Sequence, residues 1–259
     1  VPRFSANITF LFRELPLLQR FQAARDAGFQ AVEILMTEGA STADLSAAAR
    51  KSGLQVVLCN APGGDFFEGG AGLSAVPGRE QEFRLAVLEV RDLATALQCP
   101  TVHLGPSRIP PGVSRQSCMQ VYRENLEFAA QTLAESGITA TLEALNPHDN
   151  PGIFLDSIEL ALQMLDQLDL PSLKLQFDVY HVARSGGDYL KLLDQHMGRI
   201  AHLQFADVPG RGEPGSGEVD FAAVFALLDS LAYSGWAGAE YRPTGTTQDS
   251  LDWFQSFRQ

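Results

Sequence analysis

Eight short apolar runs alternate with eight amphipathic stretches along the chain, and nothing else in it constrains the fold as strongly. The runs are FSANIT (4–9), AVEILM (31–36), LQVVLCN (54–60), TVHLG (101–105), TATLEAL (139–145), LKLQFDV (173–179), IAHLQFA (200–206) and WAGAEY (236–241). Rich in apolar and β-branched residues, they predict strands buried on both faces. The stretches between them have helical spacing. In LPLLQRFQAARDAGF, Leu18, Phe21 and Ala24 or Arg25 step round one face, and Gly28 stands where a C-cap would. DLSAAARKSG ends on Gly53 in the same way. REQEFRLAVLEVRDLATALQ, RQSCMQVYRENLEFAAQTLAESG, DSIELALQMLDQL, DYLKLLDQHMG, DFAAVFALLDSLAYSG and DSLDWFQSF complete the set. Strict alternation demands parallel strands joined by crossover helices. Eight such units in 259 residues predict an α/β fold, a closed (β/α)8 TIM barrel forming one domain over 1–259. A doubly wound open sheet competes, but no GxGxxG follows the first strand.

In such a barrel the loops after the strands build the active-site face. The loop after strand seven, DVPGRGEPGSGEVD, has glycines that permit tight turns and close approach to a ligand, and charges that would face the site. The other long loop, GGDFFEGGAG (63–72), carries Phe66 and Phe67, as a lid or as packing. At strand ends stand Glu143, Asp178 and Glu240, with Gln204 in strand seven. Each is embedded in an apolar run, where an unpaired carboxylate is costly. Like charges aimed at one mouth repel unless a cation joins them. Any one of these acids alone could pair with a barrel lysine or arginine. Together, the four point to a hard divalent metal, and the all-oxygen set suits Mg2+ or Mn2+ better than Zn2+.

Nearby polar residues fit a small polar substrate: His181, Arg211, Glu213, Asn60 and Asn7. Each has a plainer alternative. His181 could start a helix or pack, Arg211 could be a solvated loop charge, and Asn60 could close an Asx turn. Cys59 reads as a small buried hydrophobe, since no basic partner stands near it in sequence.

Net charge −12 disfavours a nucleic-acid or anionic-membrane surface. Three cysteines with no CxxC pair argue against a disulfide framework and fit a reducing cytoplasm. No apolar run is long enough to span a bilayer, and VPRFSANITF lacks the features of a signal peptide. The expected partner is a small-molecule substrate, with a homo-oligomer left open.

At these residues the chain resembles the hydroxypyruvate isomerase family of xylose-isomerase-like barrels. The likeness is carried in order by RFSANITFLF, GFQAVEI, NAPGGD, VPGREQEFR, ENLEFAA, LEALNPHDNPGIFL, LKLQFDVYHVAR, HLQFADVPGRGEPGSGEVD and GAEYRPTGTT. It implies a (β/α)8 fold and a Glu143/Glu240 proton donor and acceptor pair. It also implies Glu143, Asp178, Gln204 and Glu240 around a divalent metal. His181 and Arg211 match substrate-binding positions of the related ketose epimerases, and Arg211 is expected to pair with a substrate carboxylate. The implied reaction converts hydroxypyruvate to tartronate semialdehyde (2-hydroxy-3-oxopropanoate), with 2-oxo-tetronate isomerase or a ketose 3-epimerase as alternatives. The chain departs from the pattern at Cys59, Phe66, Ala71–Gly72 and Arg242, around the site rim. An endonuclease-IV-type nuclease would need more than these five histidines and a basic groove. A non-catalytic sugar-acid-binding barrel would not need both glutamates.

Overall fold

The computed structural model describes residues 2–255. Its strands are β1 (Arg3–Asn7), β2 (Ala31–Ile34), β3 (Gln55–Asn60), β4 (Thr101–His103), β5 (Thr139–Glu143), β6 (Leu173–Asp178), β7 (Ile200–Phe205) and β8 (Trp236–Ala239). They close in sequence order into a parallel barrel, with β8 pairing back onto β1. Every predicted run contains its strand, except that β1 also takes in Arg3.

The helices are α1 (Leu17–Asp26), α2 (Thr42–Ser52), α3 (Glu80–Leu97), α4 (Arg115–Ala134), α5 (Ile158–Leu168), α6 (Val179–Arg184), α7 (Tyr189–His196), α8 (Phe221–Ser230) and α9 (Asp252–Gln255). The predicted helix DSLDWFQSF extends beyond the described residues after Gln255. Gly53 caps α2 at φ 68°, as expected. In α1 the buried face is Leu17, Arg20, Phe21 and Ala24, so Phe21 and Ala24 are buried as expected while Leu18 is exposed. Ala27 caps α1, and Gly28 follows it in the left-handed region. The sequence reading placed no helix at α6. Its six residues are too few to show a periodicity, and the Asp178 side chain starts it by accepting the Tyr180 N–H at 2.8 Å.

Successive strand residues face opposite ways. Outward positions such as Phe4, Leu142, Phe177 and Phe205 are buried in the apolar core, most of it the layer between strands and helices. There Phe4 packs edge-on against Phe205, Phe225 and Trp253. The alternate positions are polar and equally buried: Ser5 and Asn7, Thr141 and Glu143, Gln176 and Asp178, His202 and Gln204. The barrel lumen is therefore a hydrogen-bonded interior surrounded by an apolar sleeve. Cys59, Cys99 and Cys118 are free and buried, as expected for Cys59. Among the described residues no helix is long and apolar enough to cross a membrane.

Candidate active site

A cavity of about 450 Å³ opens at the C-terminal ends of the strands, where Glu143, His181, Arg211 and Glu240 meet Asn60, His103 and Phe66. Phe67, 58 % exposed, stands at its mouth and packs edge-on against Phe66. Arg108 stacks 3.9 Å above the Phe66 ring and bonds the carbonyls of Phe66 and Gly70 at 2.9 and 2.7 Å. This side chain fastens the 63–72 loop down.

Glu143 ends β5, and its Oε2 accepts from Gln176 Nε2 at 3.3 Å. Burial raises its proton affinity well above the usual carboxylate range, and the charges of Glu240 and Asp178 add to this. Asp178 ends β6, and burial pushes it up to about 6, against the pull of Arg211. Burial pushes Glu240, just past β8, up to about 8. Arg211 opposes that shift, while Asp178 and Glu33 reinforce it. Carboxyl groups this perturbed, in one cavity, are the usual mark of acid–base chemistry.

Two carboxylate oxygens, Glu143 Oε1 and Asp178 Oδ2, are buried without a hydrogen-bond partner. With a ring nitrogen of His181 they form a buried group that could hold a metal ion, one ligand atom from each lying within 4.8 Å of the others. The histidine is constrained by its other side. The Asn146 backbone N–H donates to His181 Nδ1 at 3.1 Å, so the neutral ring keeps its proton on Nε2. Burial, aided by Arg211 and His103, drives its proton affinity well down and keeps it neutral. Nε2 lies 3.6 Å from Asp178 Oδ2 and 4.0 Å from Glu143 Oε1, as a donor facing acids.

Gln204 and Asn7 lie buried beneath the cavity, and both donate amide hydrogens to Glu240 Oε2. Gln204 Oε1 accepts from Gln176 at 2.7 Å and keeps a second lone pair. Arg211 bends down toward the acids. It pairs with Glu240 Oε1, lies 3.8 Å from Asp178 Oδ2, and is flanked by the rings of Phe10 and Tyr180 at 4.8 and 5.1 Å. Its Nε has no partner. Asn60 lines the cavity and its Oδ1 is likewise unpartnered. Glu213 is not brought to the cavity wall, because its two oxygens accept from the backbone and hydroxyl of Thr244.

Sequence reasoning missed four residues here. His103 ends β4 with Nε2 3.7 Å from Glu143 Oε2, and burial pushes it down to about 4, so it is neutral. Glu33, Gln176 and His202 fill the lumen under the acids. The signal for Gln176 and His202 was present: each stands two residues before a strand-end residue already singled out, on the same strand face. Asp207 fixes the path of the loop after β7. Its carboxylate accepts from the N–H groups of Val208, Gly215, Gly217 and Val219 at 2.8–3.0 Å. Gly217 passes so close that a Cβ on it would stand 1.9 Å from the Val208 carbonyl.

The family model for xylose isomerase-like TIM barrels matches residues 21–257. A 2-oxo-tetronate isomerase from Haemophilus influenzae is 38% identical over 100% of both chains. A hydroxypyruvate isomerase from Escherichia coli is 36% identical over 99% of each. Among solved structures, a Brucella melitensis protein described as an AP endonuclease of family 2 superposes with a TM-score of 0.96, at 38% identity and with both chains fully covered.

Proposed function

The chain belongs to the xylose isomerase-like TIM barrel family, and we propose that it is an isomerase of small hydroxy-keto acids, with hydroxypyruvate as the preferred substrate. The observation that carries this reading is the pairing of Glu143 and Glu240 in one cavity. Both are buried, and burial raises the proton affinity of both above the ordinary carboxylate range, that of Glu240 to about 8. A general acid or base works best when its pKa is near the working pH. In the proposed reaction one glutamate removes a proton from C3 of hydroxypyruvate, leaving an enediolate. The other delivers a proton to C2, and the hydroxyl proton passes from O3 to O2. The product is 2-hydroxy-3-oxopropanoate, with atoms and charge unchanged. His181 Nε2–H and the neutral His103 line the cavity beside Glu143, where they can hydrogen-bond substrate oxygens. The spare donors of Arg211 would take the substrate carboxylate in a planar fork.

The orphaned oxygens of Glu143 and Asp178 fit a divalent cation, Mg2+ or Mn2+, held by Glu143, Asp178 and Glu240 with the Gln204 carbonyl beside them. When bound, such an ion supplies Lewis-acid stabilisation of negative charge on the substrate oxygens. The His181 tautomer makes that residue a donor to substrate in preference to a ligand. With free cysteines and no membrane-crossing helix among the described residues, we assign the protein to the cytoplasm. The name of the Haemophilus relative keeps 2-oxo-tetronate as the second substrate reading. A nuclease reading would set a phosphate backbone against a chain of net charge −12.

Glu143→Gln and Glu240→Gln keep shape but cannot carry the proton. Each is expected to lower kcat by about a hundredfold or more, on the scale of general-base removal. The assay is a panel of hydroxy-keto acids and short ketoses with Mg2+ or Mn2+ and with chelator, following solvent deuterium into product. Near-normal turnover of either variant, with chemistry limiting the rate, would sink the assignment.

A further inference from the structure

Glu33 has no part in the chemistry described above, yet its carboxylate is among the most heavily bonded in the lumen. It is fully buried in β2 and occupies a hollow left by Gly238, where a Cβ would stand 1.8 Å from Glu33 Oε1. Its two oxygens serve different partners. Oε1 bonds Ser5 Oγ at 2.6 Å and His202 Nε2 at 2.8 Å. Oε2 accepts from Asn7 Nδ2 at 3.3 Å and Gln204 Nε2 at 2.7 Å. The same two amide nitrogens donate to Glu240 Oε2.

An amide nitrogen carries two hydrogens, so each amide gives one to either acid. Such an amide can also turn over and present its oxygen. Here the carbonyls are engaged elsewhere, Asn7 Oδ1 by the Thr9 N–H and Gln204 Oε1 by Gln176. Glu33 completes the arrangement by accepting the hydrogens on the far side. Glu240 is thereby held through Oε2, and its Oε1 is directed to Arg211 and the cavity.

We propose that Glu33 is a positioning residue: by fixing Asn7 and Gln204 as donors it holds Glu240 Oε2, and it leaves Oε1 to handle the substrate's proton. This rests on the acid–base role proposed above for Glu240. Glu33→Gln keeps the volume but sets an NH2 group against one of these pairs of donors. Its kcat should fall by about ten- to a hundredfold, the usual cost of losing a partner that orients a reacting group, with KM little changed. Gly238→Ala should give the same kcat-specific loss by displacing an intact Glu33. On a Glu33→Ala background, Gly238→Ala should add little further. A crystal structure of Glu33→Gln should show the Glu240 carboxyl rotated. If Glu33→Gln fails to fold, Ser5→Ala carries the test, with a smaller loss confined to kcat. Wild-type kcat in folded Glu33→Gln, or a lower melting temperature with unchanged kcat, overturns the proposal. If Glu240→Gln is inactive while Glu33→Gln is normal, only the positioning role falls. If Glu240→Gln is itself active, the acid–base reading falls and takes this one with it.

Discussion

Arg211 sits in the left-handed backbone region at φ 58°, a conformation that costs an ordinary L-residue roughly 1–2 kcal/mol. Its carbonyl accepts the Arg242 N–H at 2.7 Å, and its guanidinium meets Glu240 and the two rings. These contacts offset the strain and aim a buried cation at Glu240 and Asp178. Replacing it by lysine keeps the charge but loses the planar fork and the stacking. Arg211→Ala should raise KM for a hydroxy-keto acid by about ten- to a hundredfold, from about 1.5–3 kcal/mol per charge-assisted bond. KM for an uncharged ketose of similar length should rise less. Equal rises on both substrates would reject carboxylate recognition. The strand-end acids were legible in the sequence because each interrupts an apolar run, and Arg211 because it is the only cation in the glycine-rich loop after a strand. The network beneath them was not: Glu33 and Glu240 meet through amides borne by β1 and β7, and only barrel closure brings those strands together.

At the level of elements, β6 and α6 show how one residue can serve both backbone and site. Asp178 ends the strand, caps the helix through Oδ1, and keeps Oδ2 for the cavity. The β7–α8 loop is the more surprising element, because its four glycines announce only tight turns. Turn composition told where the chain bends but not that Asp207 would gather four N–H groups from residues up to 12 positions away. Asp207→Ala would strip these donors of their acceptor, at about 1–3 kcal/mol for each that water cannot reach. A lower melting temperature and a higher KM are expected, since the loop carries Arg211. Unchanged KM with lowered stability would show that the loop path and substrate binding are separate matters.

Across the whole molecule, the strand and helix order was readable because the apolar sleeve writes its period into every unit. The lumen was read only at its rim. Its concentration of buried acids makes stability depend on pH. Glu240 rises from an ordinary 4.5 to about 8, and Asp178 from 3.8 to about 6. A carboxyl raised in the folded state binds a proton that the unfolded chain has lost. Its stabilising contribution is therefore complete below the unfolded value and drains away as pH climbs through the folded one. His103, lowered from 6.5 to about 4, acts in the opposite sense, its penalty growing as pH falls from 6.5 toward 4. From pH 6.5 to 8 the carboxyl effect stands alone among these three, so the metal-free protein should lose melting temperature across that interval. Mn2+ should restore more at pH 8 than at pH 6, because its ligands must be deprotonated. A melting temperature that is flat with pH and unmoved by Mn2+ would contradict both the shifted acids and the cation. The knot under the β7–α8 loop also bears on how such a barrel can change its chemistry over generations. Asp207 bonds only to main-chain hydrogens, which every residue but proline can supply. A lineage can therefore exchange Arg211 one codon at a time, altering what the loop reads while Asp207 and Gly217 hold its course.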